Sequence, residues 1–289
     1  MGTISGSKTI FESLDNIRNA GFDDLSQYIT HFVDVDHVPS TYISTLSRDQ
    51  QIICYRLFLL AYLVTCGREA PREMQLRAAL ASYERRDSAV IAGTGSGKTL
   101  IIALLILLDH PSNGVSITIY PLKHLQLTQA RDFVIKYKIN TIAINDDTSR
   151  NQSFWDNMIF NGKTKTLGTV KHFIVTTEQV FKSKEGYLTR FGHLIRTLAF
   201  RKTIRHVFVD EAHFIYFAGT PQYNVPAFRP SWGRLNEIKI LPSIPWQVLT
   251  ATSPLHVLSV IESAVLHLEF KVERTCPMKE GCKIHQRRT

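Results

Sequence analysis

The residues with the clearest chemistry are Ala92-Gly93-Thr94-Gly95-Ser96-Gly97-Lys98-Thr99, which follow the apolar run Ala89-Val90-Ile91 and precede the apolar stretch Leu100–Leu108. A loop this rich in glycine turns successive backbone N–H groups inward around phosphate oxygens, and a helix behind it adds the positive end of its dipole. Lys98 supplies a full charge to the β- and γ-phosphates, and the Thr99 hydroxyl is placed to ligate Mg²⁺. A Gly-rich turn would share these letters; a strand before and a helix after decide for nucleotide binding. The second signal is Val207-Phe-Val209-Asp210-Glu211-Ala212-His213. Here an apolar run delivers two carboxylates, Asp210 suited to outer-sphere Mg²⁺ and Glu211 to orienting and deprotonating an attacking water. Alone, Asp-Glu after a strand reads equally as a helix cap. Beside the phosphate loop it completes a catalytic set of Lys98, Asp210, Glu211 and His213.

These residues need a rigid frame, and the pattern from about residue 70 onward supplies one. Short apolar runs (89–91, 115–120, 141–144, 172–176, 207–209 and 247–250) alternate with amphipathic stretches such as Leu100–Leu108, Leu122–Tyr137 and Tyr187–Phe200. That alternation predicts a parallel sheet with helices on both faces, and such sheets bind ligands at the carboxyl ends of their strands. Residues 1–67 read as helices. Ser47-Arg-Asp-Gln50 has the form of a capping box, and Gly67 is the expected stop for the helix it opens. That helix is apolar nearly all round, which predicts packing on the body of the molecule.

The chain has 289 residues, with 34 Lys+Arg against 25 Asp+Glu, for a formal net charge of +9. Hydrophobic content of 44% and charged content of 20% exclude a disordered or low-complexity chain. The charge is segregated: residues 1–70 hold five basic and eight acidic residues, a net of −3, so residues 71–289 carry +12. A basic body invites a polyanion. Four cysteines and the lack of a secretory signal predict a reducing intracellular compartment, and no stretch is long and apolar enough for a membrane partner. Cys276-x5-Cys282-x2-His285 fits no common zinc spacing, so no zinc is expected. Residues 271–289 read as a basic tail.

The phosphate loop departs from the strict Walker A pattern only at Ala92, and with Asp210-Glu211-Ala212-His213 it resembles the first RecA-like lobe of superfamily 2 helicases. Further residues resemble the RecQ-like DNA helicases. Pro71-Arg-Glu-Met-Gln75 is similar to motif 0, whose glutamine reads the adenine edge. Pro121-Leu-Lys-His-Leu with Gln126 and Gln129 resembles motif Ia, Val175-Thr176-Thr177-Glu178 motif Ib, and Thr250-Ala251-Thr252 motif III. Six aromatics lie between Phe214 and Trp232, and Phe228-Arg229-Pro230 resembles part of the RecQ aromatic-rich loop, although the Ser-x-Trp-Gly-His-Asp segment is absent.

The resemblance implies an α/β P-loop NTPase of RecA-like fold: a helical extension over 1–67, an ATP-binding lobe over 68–270 and the tail. It implies ATP and Mg²⁺ as cofactors, with Gln75, Thr94, Gly95, Ser96, Gly97, Lys98 and Thr99 holding nucleotide and Thr99 and Asp210 the metal. Lys123, His124, Thr176, Thr177, Phe228 and Arg229 become DNA contacts, and Thr250, Ala251 and Thr252 couple hydrolysis to movement. The expected partners are single-stranded or tailed duplex DNA and a second RecA-like lobe in trans, in a nuclear setting, with 3′–5′ unwinding. No motif IV to VI follows residue 253 in this sequence, so slow hydrolysis by these residues alone is expected. The alternative is a catalytically silent ATP- and DNA-binding module. An unrelated P-loop ATPase or kinase is disfavoured by Gln75 and Thr-Ala-Thr.

Overall fold

The computed structural model describes residues 4–110, 112, 114–181, 186–238, 244–251, 254–266, 270–271 and 283–287. In chain order the strands are β1 (Ser88–Ile91), β2 (Val115–Ile119), β3 (Thr141–Ile144), a small hairpin β4 (Phe160–Asn161) and β5 (Thr166–Leu167), β6 (His172–Val175), β7 (Ile204–Asp210), β8 (Trp246–Thr250), β9 (Phe270–Lys271) and β10 (Lys283–Arg287). Six of them form a parallel sheet in the order β3-β6-β2-β7-β8-β1. After β1 the chain passes over the positions of β8 and β7 to reach β2. The carboxyl ends of β1, β8 and β7 therefore lie side by side, where open α/β sheets hold ligands.

The helices are α1 (Ile4–Asn19), α2 (Phe22–Phe32), α3 (Ser40–Ile43), α4 (Arg48–Val64), α5 (Glu73–Tyr83), α6 (Lys98–Leu108), α7 (Lys123–Tyr137), α8 (Gln152–Phe154), α9 (Arg190–Leu194), α10 (Leu198–Arg201), α11 (Phe214–Phe217) and α12 (Leu255–Val265). Side chains alternate across a strand, and here the alternation sorts two cores. Val90, Ile174, Phe208 and Leu249 face one layer with α4, α5 and α6. Their neighbours Ala89, Ile91, Phe173, Val175, Val207, Val209 and Val248 face the other, with Trp155, Phe191, Phe200 and α12. Both faces are covered, as a parallel sheet requires.

The helical extension joins the first of these cores. Leu57, Phe58, Leu60 and Ala61 of α4 are fully buried and share a cluster with Leu104 of α6 and Leu249 of β8. The capping box is present: Gln50 N donates to Ser47 Oγ at 3.4 Å, and Ser47 N donates to Gln50 Oε1 at 3.1 Å. Gly67, at φ 76, ends the segment in the left-handed conformation, its N–H reaching Tyr62 O at 2.7 Å.

Two segments differ from expectation. Tyr187–Phe200 is no single helix but α9 and α10, because hydroxyls satisfy backbone groups at the break. Gly192 N donates to Thr189 Oγ1 at 2.9 Å, opening α9, and the Thr197 hydroxyl donates to Leu194 O at 2.8 Å, closing it. Residues 271–289, read as a tail, contribute β10, which pairs antiparallel with β1 from Ser88↔Gln286 to Ile91↔Lys283. β1 would otherwise end the parallel sheet with unpaired backbone groups, and an added strand satisfies them. Cys276 and Cys282 lie outside the described residues. Among the described residues no helix is long and apolar enough to cross a membrane.

Candidate functional site

β1 delivers the chain to the phosphate loop, and β8 holds the loop in place: Ala92 N donates to Thr250 O at 3.0 Å. Gly95 and Gly97 adopt φ of 78° and 79°, which only glycine takes up without strain, and Gly97 caps α6. The first N–H groups of α6 lack partners within the helix, as at any helix start, and open onto the loop. Lys98 folds back so that its Nζ donates to Ala92 O at 2.9 Å and Gly93 O at 3.3 Å. The ammonium thus lies across the mouth of the loop on two neutral carbonyls, contacts that an anion would displace. Ser96 Oγ is buried without a hydrogen-bond partner. These features fit a phosphate chain: a positive, partly unsatisfied cradle at a helix start.

Gln75, on α5, reaches the same loop. Its Nε2 donates to Ser96 O at 3.1 Å and Gly97 O at 3.2 Å, while its Oε1 accepts from Arg72 N at 2.8 Å. A Cβ on Gly97 would lie 2.4 Å from that amide nitrogen, so the third loop glycine is needed for this contact as well as for its φ. Gln75 is thus buried and buttresses the loop, both ends of its amide already engaged; meeting an adenine edge requires the amide to leave these partners.

β7 ends in Asp210, almost fully buried. Burial is the largest influence on its carboxyl, with the Glu211 charge next, and together they raise it to about 6, against a smaller lowering from Glu211 N–H and Lys98. A buried carboxylate that resists ionising fits a cation site, because a divalent ion would stabilise the charged form. Glu211 sits at φ 52, a left-handed conformation costly for a residue with a Cβ and characteristic of functional turns. His213 Nδ1 lies 3.0 Å from Thr250 Oγ1 and 3.3 Å from Glu211 Oε2. The Thr250 contact is a hydrogen bond, whereas Glu211 Oε2 stays buried with no hydrogen-bond partner. Burial depresses the His213 imidazole despite Glu211 beside it. Lys98, Asp210, Glu211, His213 and Thr250 therefore meet at one point, with Thr94, Gly95, Ser96, Gly97 and Thr99 along its rim. Ala251 follows Thr250, and Thr252 lies outside the described residues. Sequence reasoning missed Tyr120, buried between β2 and α7. Its hydroxyl is raised to about 12 by burial and by the nearby Asp210 and Glu211 charges, against a bond to Gln129. Nothing in the spacing marks it, because it reads as the last apolar residue of a strand.

The expected nucleic-acid residues divide. Lys123 and His124 are exposed at the start of α7, although Lys123 already pairs with Asp147 at 2.8 Å. Thr176 and Thr177 are both buried, and Thr177 Oγ1 lies 2.8 Å from Ser231 Oγ. Arg229 is likewise engaged. Its Nε and Nη2 grip Glu178 at 2.9 and 2.7 Å, and its Nη1 donates to Pro121 O. Burial pushes the Glu178 carboxyl up, but the Arg229 guanidinium, the Glu178 N–H and the Thr176 hydroxyl together more than offset this and leave it below the usual range. The reason is geometric: the planar guanidinium fork matches a carboxylate better than any single-point donor. The three segments after β2, after β6 and after α11 are thereby tied together.

Of the six aromatics, Trp232 is fully buried and packs near Phe214, with ring centroids 5.8 Å apart. Phe217, Tyr223 and Phe228 are exposed, the last two at 95% and 85%. Gly219 and Gly233 let the ends of this segment approach so closely that a Cβ on Gly219 would lie 2.4 Å from Gly233 N. Between residues 190 and 206, three basic side chains are engaged within the fold. Arg190 stacks over Trp155 at 4.6 Å, Arg196 donates to Val180 O and Gly192 O, and His206 is buried against Asp109 at 3.1 Å.

Comparison with known proteins agrees with this geometry. The model of the DEAD/DEAH box helicase family matches residues 72–259, a span that runs from just before Gln75 into α12 and leaves out α1 to α4. Among solved structures, a variant of S. cerevisiae Dbp5 bound to RNA and ADP BeF3 is similar at 16% sequence identity with a TM-score of 0.50. The match covers 74% of this chain and 50% of that one, so this chain spans half the length of that structure's chain. At such identity the likeness concerns the fold, a RecA-like α/β sheet. With its phosphate loop and Asp-Glu-Ala-His turn inside the matched span, the chain belongs to the DEAD/DEAH box helicase family, of which it carries a helicase ATP- and nucleic-acid-binding domain.

Proposed function

We propose that this domain is the first lobe of a RecQ-like DNA helicase, coupling ATP hydrolysis to movement along single-stranded DNA when a second RecA-like lobe completes the site. The observation that carries the reading is the Arg229 clamp. It draws on Phe228-Arg229-Pro230, on Glu178 of the motif Ib-like segment and on Pro121 of the motif Ia-like segment, three of the features that resemble RecQ-like helicases. In this reading the N–H groups of the loop and Lys98 hold the phosphates, and Thr99 and Asp210 hold Mg²⁺. The metal supplies charge neutralisation for the transferring phosphoryl group. Glu211, whose Oε2 is unsatisfied, orients and deprotonates water, and the His213–Thr250 bond links that turn to β8. Exposed Phe228 and Tyr223 offer faces on which unpaired bases stack, worth ~1–3 kcal/mol per base. His124 and Lys123 meet the backbone, Lys123 once it releases Asp147. An intracellular, nuclear setting belongs to the same reading.

Dbp5 was solved with RNA, so the choice of DNA is tested directly. Binding of labelled single-stranded DNA and RNA of one sequence is compared with and without ATP, together with ATPase stimulation and a Lys98→Ala control. Preference for DNA, with stimulation lost in the control, is expected; equal or tighter RNA binding sinks the DNA assignment. A wild-type rate equal to the control, even with a second RecA-like lobe added in trans, favours the silent binding module.

A further inference from the structure

A groove on the helical extension lies outside everything described above. α1, α2 and the end of α4 enclose a half-open cavity of about 560 Å³, lined chiefly by Ile17, Tyr28, Phe32, Leu59, Tyr62 and Leu63. Phe32 is 69% exposed, and Tyr28, one turn earlier on α2, lies 6.4 Å from it between ring centroids. Single exposed apolar residues are ordinary, but two neighbouring rings over an apolar groove mark a surface that something covers.

The charge around the groove indicates what covers it. From Glu12 to Asp36 the chain has six carboxylates and one arginine, Arg18. Asp15 pairs with Arg18 and Asp23 with Arg48. Glu12 stands one turn before Asn16 of the groove, Asp24 one turn before Tyr28, and Asp34 and Asp36 follow Phe32. This is an acidic island on a molecule whose residues 71–289 carry +12.

We propose that the groove docks an amphipathic helix of a partner protein, its apolar stripe seated between α1, α2 and α4 and its polar side rich in lysine and arginine. A groove between helices accepts anchors spaced one turn apart, and the acidic rim steers a cationic helix here and away from the basic body. An anionic membrane would meet Glu12, Asp24, Asp34 and Asp36 with like charge. A second copy pairing through the same face would set these carboxylates against each other.

The test is fluorescence anisotropy of the whole chain with two short labelled helical peptides of identical pattern, one of leucine and lysine, one of leucine and glutamate. The lysine peptide is expected to bind saturably and to weaken with salt, the glutamate peptide to bind about tenfold more weakly or less. Phe32→Ala should weaken the lysine peptide at least about fivefold, as loss of an aromatic anchor does. Because Phe32 is exposed, that variant should keep wild-type thermal unfolding and nucleotide binding. Asp24→Asn with Asp34→Asn should narrow the preference between peptides while leaving the groove intact. Equal affinity for both peptides, or an affinity indifferent to Phe32→Ala, overturns the proposal. So does self-association in sedimentation, or binding to phosphatidylserine vesicles, that depends on Phe32.

Discussion

Lys98 spends its ammonium on the carbonyls of Ala92 and Gly93, so nucleotide binding exchanges two charge–dipole contacts for contacts with phosphate anions. A charge–charge contact with a phosphate oxygen is stronger than a charge–dipole contact with a carbonyl, so the exchange favours binding. Lys98→Ala should therefore weaken binding of a fluorescent ATP analogue by about tenfold or more, about 1.4 kcal/mol; binding unchanged within error would remove Lys98 from the site. Arg229 is a different kind of residue. Its fork on Glu178 is partly screened by solvent, so Arg229→Ala should cost about 1–2 kcal/mol in urea unfolding once that screening is allowed for. Glu178→Gln should cost a comparable amount, because it leaves the more buried Arg229 guanidinium without its counter-charge. The double variant should cost less than the sum, since both changes remove one interaction. Strict additivity would show that the clamp does not couple the two residues. The sequence distinguishes these roles poorly. Lys98 is legible because glycine spacing and flanking elements specify a phosphate loop. The engagement of Arg229 with Glu178 and of Thr177 with Ser231 is not, since partners 51 and 54 positions apart leave no local pattern.

At the scale of elements, the apolar runs locate the parallel strands to within a few residues, because burial on both faces demands continuous apolar sequence. The break between α9 and α10 rests on hydroxyls that compete for backbone groups, a balance periodicity does not report. β6 carries a further consequence. His172 is fully buried there, its Nε2 3.2 Å from Thr118 Oγ1 and its ring 4.7 Å from that of Phe133. Burial drives its imidazole from 6.5 to about 3. Between those values the unfolded chain binds a proton that the folded chain excludes. Stability contributed by neutral His172 is therefore present above pH 6.5 and lost as pH falls toward 3, at up to about 1.4 kcal/mol per pH unit. Asp210 acts with the opposite sign. Raised from 3.8 to about 6, it holds a proton in the folded state that the unfolded chain has released. The two slopes oppose each other between pH 3.8 and about 6, so wild-type stability alone conceals both. The discriminating quantity is the difference in unfolding free energy between wild type and His172→Gln, measured in urea at pH 7 and pH 5. Wild type should lose about 1–2 kcal/mol of its advantage at the lower pH; a difference constant across that interval would show that His172 is not excluded from protonation.

At the scale of the molecule, sequence similarity and packing draw different boundaries. The family match begins at residue 72, and the acidic balance of residues 1–70 sets them apart from the basic body. Either would suggest cutting the chain near residue 68 to obtain a minimal ATP-binding lobe. The core argues against that cut. α4 packs on both α5 and α6, and its Leu57, Phe58, Leu60 and Ala61 are fully buried in the cluster that also holds Val90, Phe208 and Leu249 of the sheet. Burying a large apolar side chain is worth about 1.5–3 kcal/mol. The three large ones alone thus contribute roughly 5–9 kcal/mol, comparable to a typical domain's entire stability of about 5–15 kcal/mol. Their removal would also bare the facing surface of α6, an apolar helix that carries the phosphate loop at its start. A chain of residues 68–289 should therefore fail to fold as a stable monomer, losing near-ultraviolet circular dichroism and cooperative melting and aggregating on size exclusion. Nucleotide binding should disappear with the fold, because Gln75 and Lys98 are held by helices that rest on α4. A monomeric 68–289 that melts cooperatively and binds the ATP analogue as tightly as the full chain would show the extension to be an independent appendage. The expected collapse would instead make the acidic helices part of the lobe itself, and any partner held in their groove would act through α4 on the helix that begins at Lys98.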